Sequence, residues 1–285
     1  MKTAASKSSS LLDALQLLVP GASNRTLRQM LSQGRVAVNG TRCMIATRDI
    51  SPGDVIEIGA RTATAQAAGG LQVLYEDGDL LIVQKPPGLL TVATPDERDR
   101  TAYSYLREYL REHNRRQKLF IVHRLDKLAS GVLVFAKTER VKSLLQSIFG
   151  RHDIERKYWA IVEGKVQKDQ GTIQSHLAED RSMRMHSTAD TNKGKPAITH
   201  YRVLKRLHNL TVLEVTLETG RKNQIRAHLS EMGHPIVGDR AYGSTQDPLG
   251  RLGLHAFHLG FVHPVRGTPL ACQTDPPPEF RKYLR

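Results

Sequence analysis

The chain has 285 residues, 39% hydrophobic and 25% charged, an ordinary globular composition that excludes a wholly disordered protein and suggests one large domain or two unequal ones. Its 42 lysines and arginines against 28 acids leave a net charge of +14, a positive field whose common partners are nucleic acid or anionic membrane. The two cysteines, Cys43 and Cys272, lie far apart, no Cys/His cluster has zinc spacing, and no apolar run approaches 18 residues. A soluble protein of the reducing cytoplasm, with no metal and no membrane partner, is the expectation.

Residues 1–10 are small and polar and predict a loose, disordered tail. Residues 11–60 predict a small unit. Ser10 caps a helix carrying Leu11, Leu12, Leu15 and Leu18, and Ser23 caps a second with Leu27, Met30 and Leu31, stopped by Gly34. Val36-Ala-Val38 then runs into an Asn39-Gly40 turn, and Pro52-Gly53-Asp54 turns into Val55-Ile-Glu-Ile58. Residues 61–70 lack any large apolar side chain and read as a linker.

From 71 to 285 the pattern changes. Short strands are predicted at 71–75, 79–84, 131–136, 158–163, 198–206, 210–218 and 254–262, with helices near 101–113, 139–149 and 223–232. Many strands and few helices, not in strict alternation, indicate an α+β fold with a mixed, largely antiparallel sheet. The surplus charge is clustered. Residues 181–206 hold Arg181, Arg184, Lys193, Lys195, Arg202, Lys205 and Arg206 against one acid, Asp190, and within them 181–195 reads as a long hairpin loop suited to a phosphate backbone. Arg25, Arg28 and Arg35 lie on or just after the second helix.

Two stretches carry chemistry. In Ile121-Val-His123-Arg124-Leu125-Asp126-Lys127 an acid stands among cations, just before Ser130-Gly131 and a buried strand. Such a carboxylate is held rigidly and kept ionised, as a nucleophile or base requires, although a structural ion pair fits these residues equally well. In Thr219-Gly220-Arg221-Lys222-Asn223-Gln224-Ile225-Arg226-Ala227-His228-Leu229 a strand ends and a helix begins with a dense basic first turn. Cations there oppose the helix dipole, so an anion must face them, either phosphate or the carboxylate of another segment. Arg226 borders the buried face and reaches inward, leaving Arg221 and Lys222 for phosphate.

In order along residues 71–285, Val83-Gln84-Lys85-Pro86-Pro87-Gly88-Leu89, His123-Arg124-Leu125-Asp126 with Ser130-Gly131, Lys157-Tyr158-Trp159-Ala160, the Arg226 stretch followed by Gly233-His234-Pro235-Ile236 and Gly238-Asp239, and Leu254-His255-Ala256 with His263-Pro264 resemble the motifs of the RluA-type pseudouridine synthases. Residues 11–60, with Arg28-Gln29-Met30-Leu31, Gly34-Arg35-Val36 and Val38-Asn39-Gly40, resemble the small S-four-type RNA-binding module. The resemblance implies the pseudouridine synthase fold with an RNA-binding cleft and isomerisation of uridine in RNA without a cofactor. It implies Asp126 as the catalytic aspartate, nucleophile or base, Arg226 as the arginine that pairs with it and lowers its pKa, and Tyr158 as the ring that stacks on uracil. Arg124 would enter the space left by the flipped base, and His123, Lys85, Arg221, Lys222, Arg25, Arg28 and Arg35 would contact RNA or shape the cleft. Asn223, Gln84 and Leu128-Ala129 depart from the family pattern and bear on the choice of RNA. Large-subunit ribosomal RNA is the favoured substrate and a monomer the expected state. The alternatives are transfer RNA as substrate, a non-catalytic ribosome-assembly factor on the same fold, and an unrelated hydrolase using Asp126 and His123.

Overall fold

A computed structural model describes residues 2–32, 35–58 and 66–284. The first part forms a small unit with its own core. Strands β1 (Lys2–Ala4) and β2 (Ser9–Ser10) precede helices α1 (Leu11–Leu18) and α2 (Asn24–Ser32), and strands β3 (Val36–Val38), β4 (Thr41–Arg42), β5 (Asp49–Ile50) and β6 (Val55–Ile58) follow. Ser10 Oγ accepts from the Asp13 N–H and Ser23 Oγ from the Thr26 N–H, so both helices are capped as the sequence predicts. Leu11, Leu15, Leu27, Leu31, Val36, Val38 and Ile56 are essentially solvent-free and meet between the helices and a sheet of order β1-β6-β3-β4. Asn39 and Gly40 both take positive φ, the twist a two-residue hairpin turn requires.

The loose tail expected at residues 1–10 is corrected. Lys2–Ala4 adds an antiparallel edge to β6, and Ser9–Ser10 pairs with β5. Backbone pairing of this kind leaves no mark in a small polar sequence. Gly34, read as a helix stop, and residues 61–65 of the expected linker lie outside the described residues. The end of that segment is docked rather than free. Gln66–Ala67 forms strand β7, and a Cβ at Gly69 would lie 2.4 Å from the Tyr105 ring.

The rest of the chain is built on one twelve-stranded sheet among the described residues. Its strands are β7, β8 (Leu71–Glu76), β9 (Leu80–Lys85), β10 (Phe120–Ile121), β11 (Ser130–Ala136), β12 (Ile154–Glu163), β13 (Gln170–Glu179), β14 (Met185–Thr188), β15 (Lys195–Arg206), β16 (Leu210–Leu217), β17 (Leu254–Val262) and β18 (Pro269–Gln273). The helices are α3 (Ala102–His113), α4 (Glu139–Gly150), α5 (Gln224–Glu231) and α6 (Pro278–Leu284). The main path runs β14-β13-β15-β16-β12-β17-β11-β9-β8-β7, antiparallel throughout except where β11 meets β17. The α+β fold class and the mixed, largely antiparallel sheet are as expected. Among the described residues no helix is long and apolar enough to cross a membrane.

Both faces of the sheet centre are covered, so β11 is buried along its whole length. Leu133 and Phe135 pack with α3 and α5 residues on one face, while Val132, Val134 and Ala136 pack with α4 on the other, the period-two alternation of a strand. The single parallel junction explains Ser130-Gly131. Gly131 takes φ 123° directly against Ala256, whose carbonyl oxygen lies 2.0 Å from where a Cβ would stand. Ser130 Oγ shares a hydrogen bond of 2.6 Å with His255 Nδ1, whose Nε2 lies 2.8 Å from Thr274 Oγ1. Burial and the nearby Arg251 depress His255 to about 3, so the ring is neutral and ties β11, β17 and the chain after β18 together. The junction fixes the start of β11, and with it the loop that carries Asp126.

Candidate active site

Asp126 lies in the loop between β10 and β11, and the stretch from Lys85 at the end of β9 to Thr91 holds that loop at Leu125 and Lys127. Thr91 Oγ1 donates to the Leu125 carbonyl at 2.8 Å and accepts from the Leu125 N–H at 3.1 Å. The Gly88 N–H donates to the Lys127 carbonyl at 2.8 Å, and Lys85 Nζ donates to the same carbonyl at 3.2 Å. Lys85 Nζ also donates to the Pro86 and Leu89 carbonyls. The reading of Lys85 as an RNA contact is therefore corrected. The side chain is wholly buried, and burial brings its pKa down to about 7 against the opposing pull of Asp126. It braces the loop from beneath, because its Nζ is wholly buried and satisfied by three carbonyls.

Helix α5 supplies the opposite wall. Gln224 locks its first turn: Oε1 accepts from Thr219 Oγ1 and the Arg221 N–H, and Nε2 donates to the Ile198 carbonyl and Thr199 Oγ1. Asn223 precedes it in the left-handed region, φ 49°, where asparagine is among the few tolerated side chains. From this start Arg226 projects between two aspartates. Its Nε and Nη2 donate to Asp239 at 2.7 and 2.8 Å, its Nη1 donates to Asn223 Oδ1 at 3.1 Å, and Nη1 stands 3.6 Å from Asp126 Oδ2. The guanidinium carbon lies 4.7 Å from the centre of the Tyr242 ring. Asp239, 1% exposed, thus holds one edge of the guanidinium and presents the other to Asp126.

The carboxylates of Glu179, Asp126 and Asp239 are the anions that the basic first turn demanded. Lys222 Nζ is bonded to Glu179 and to the Met183 carbonyl, and Arg221 Nε donates to the Pro196 carbonyl. Arg221 and Lys222 thus each spend donors on their own protein, while both also line the cavity between the two walls. The pKa of Asp126 is corrected too. Burial raises it and outweighs the opposing effects of Arg226 and Arg124, the reverse of the lowering read from charge alone.

A cavity of about 450 Å³ opens between these walls, lined by Arg124, Asp126, Tyr158, Arg226, Phe149 and Arg156 among others. That volume accommodates a nucleoside. Tyr158 on β12 is buried, which raises its pKa, and its hydroxyl carries no hydrogen bond among the described residues. Arg124 is exposed at the rim. His123 also lines the cavity, but its Nε2 accepts from the Val134 N–H at 3.1 Å and its ring packs 4.8 Å from Phe149. Burial, helped by the charge of Arg156, lowers it to about 3, so it is a neutral wall and not a cationic RNA contact. Arg25, Arg28 and Arg35 belong to the small unit and do not line this cavity. Missed from the sequence were Thr91, Arg156 and Tyr242, and the part Asp239 plays. Arg156 carried a signal, for a residue two before an inward Tyr158 on one strand shares its face.

The comparisons with known proteins agree with this geometry. A family described as RNA pseudouridylate synthase matches residues 79–231, the span from β9 through α5. The chain belongs to the RNA pseudouridylate synthase family. It is 31% identical over 270 residues to an uncharacterized RNA pseudouridine synthase, YhcT, of Bacillus subtilis (strain 168), covering 93% of this chain and 89% of that one. It is 32% identical over 272 residues to the ribosomal large subunit pseudouridine synthase D of Yersinia pestis, covering 89% and 83%. Among solved structures, human RNA pseudouridylate synthase domain containing 1 superposes with a TM-score of 0.61 at 25% identity, covering 78% of this chain and 89% of that one. The protein is therefore an RNA pseudouridine synthase, an isomerase.

Proposed function

We propose that this synthase converts uridines of large-subunit ribosomal RNA to pseudouridine, working as a cytoplasmic monomer, with Asp126 as nucleophile or base. The observation that carries the reading is the carboxylate of Asp126 facing Arg226 Nη1 at 3.6 Å on the wall of a cavity of nucleoside size. The reaction breaks the bond from the sugar C1′ to N1 of uracil, rotates the base and joins C1′ to C5; the C5 proton leaves and N1 gains one, so no redox partner is required. A carboxylate raised by burial is a better nucleophile and base than one in water, and Arg226 fixes its direction without neutralising it by a close contact. The Tyr158 ring gives the uracil a stacking face that survives rotation, worth about 1–3 kcal/mol. Extruding the base costs a few kcal/mol, and Arg124 at the rim takes the vacated place. Residues 11–60 act as an S-four-type RNA-binding unit, with Arg25, Arg28 and Arg35 on backbone phosphates. The presence in this chain's relatives of synthases named for the large ribosomal subunit supports the choice of RNA.

The test is to incubate the purified protein with total RNA lacking pseudouridine and map the product. Modification of discrete uridines in large-subunit RNA is expected, and none with D126N. Modification confined to transfer RNA overturns the substrate, and RNA binding without any product favours an assembly factor.

A further inference from the structure

Arg156 sits two residues before Tyr158 on β12 and shares the cavity wall with it. It is 7% exposed, yet among the described residues no carboxylate pairs with it. Nη2 donates to the Glu218 carbonyl at 2.9 Å and weakly to the Leu217 carbonyl at 3.4 Å. Among the described residues Nε is buried with no hydrogen-bond partner. The neighbouring acids are taken. Glu155 is paired with Lys157 and His258, and the Glu218 carboxylate with His200. The seat is also shaped for a guanidinium, since a Cβ at Gly220 would stand 2.5 Å from Arg156 Nη1. A cation held out of water without a counter-charge is costly, and proteins retain one where a ligand completes it. Asp126, the acid on the same cavity, already faces Arg226, and the centre of the Phe149 ring lies 5.4 Å from the Arg156 guanidinium.

We propose that Arg156 is a phosphate seat: it binds a phosphodiester flanking the extruded uridine and so ties the substrate backbone to the β12 wall. The inference rests on the RNA reading of this cavity. A uridine cannot enter without its own phosphates following, and Nη1, which takes no acceptor among the described residues, is the charged donor left for a phosphate oxygen. Arg156 therefore contributes to binding and placement of the nucleotide, while Asp126 performs the chemistry.

The test uses the full chain and a synthetic oligoribonucleotide centred on a uridine identified by mapping. R156Q should weaken binding at least tenfold and reduce the slope of log Kd against log salt by about 0.7, one single-strand phosphate contact, with the loss falling on KM. R156K should keep most of the slope. A methylphosphonate at one of the two phosphates flanking the uridine should weaken binding to the unaltered protein and add nothing to the loss in R156Q. This arm needs no folded variant. Tolerance of methylphosphonate at both positions, or an unchanged salt slope in R156Q that melts like the parent, overturns the seat. If inorganic phosphate competes with the oligonucleotide at R156Q as well as at the parent, the anion binds elsewhere and the seat is wrong. Turnover of the same oligonucleotide by the unaltered protein reads the uridine assignment separately.

Discussion

The two walls of the cavity each bury an arginine, and they treat it in opposite ways. On α5, Arg226 is met by Asp239 through two short hydrogen bonds, by Asn223 through a third and by Asp126 across the gap. On β12, Arg156 has two backbone carbonyls and, among the described residues, no acid. A guanidinium whose partners are all in the protein is oriented before substrate arrives, and can aim a catalytic carboxylate without reorganising. One left incomplete is finished by what enters. The difference separates the wall that prepares the chemistry from the wall that receives the nucleotide.

Each side of this contrast can be broken. Apart from Asp126 itself, the largest loss is expected from R226K, because a lysine cannot hold Asp239 along one edge and face Asp126 with the other. Its kcat should fall by about 10²-fold or more with RNA affinity nearly kept, and a parental kcat would show that Arg226 does not orient the acid. Next, Asp239→Ala leaves Arg226 without its bidentate partner and should cost roughly 3–5 kcal/mol in denaturant unfolding. A variant as stable as the parent would mean that Asp126 alone compensates the guanidinium. On the receiving wall, Gly220→Ala pushes a methyl against Arg156 Nη1 and should raise KM a few-fold with kcat little changed.

The remaining effects are in stability against pH. Burial raises Asp126, so its ionised form is disfavoured in the fold, and the stability this group supplies below its ordinary pKa is lost as pH rises through its folded value. D126N should therefore melt slightly higher than the parent at neutral pH, with the gap closing below about pH 3.8. His123 and His255 behave in the opposite sense. Both are lowered to about 3, so the fold should lose stability as pH falls from about 6.5 toward 3, and melting curves across that window measure it.

The central strands, the caps and the order of the chemical residues were legible because each leaves a local pattern: an apolar run on β9, alternation on β8, Thr138 before α4, an acid among cations before Ser-Gly. β13, β14 and β18 were not, since they lie toward the sheet's margins, are held by backbone pairing and carry mixed polar sequences. Asp126 and Arg226 were identifiable as partners, but the sequence showed the cations around Asp126 and hid its burial, so the direction of its pKa was read backwards. Lys85 failed for the same reason: a lysine's exposure is decided by what closes over it. Asp239 lies 13 residues from Arg226 and only the turn between α5 and the segment after it brings the two together.

The measurement that bears most directly on the account is a side-by-side assay of the unaltered protein and D126N, reading RNA affinity and single-turnover pseudouridine formation on one mapped uridine. The account predicts equal or tighter binding by D126N and no product. Product formed by D126N at the parental rate would contradict it, for the carboxylate opposite Arg226 would then not be the group that performs the isomerisation.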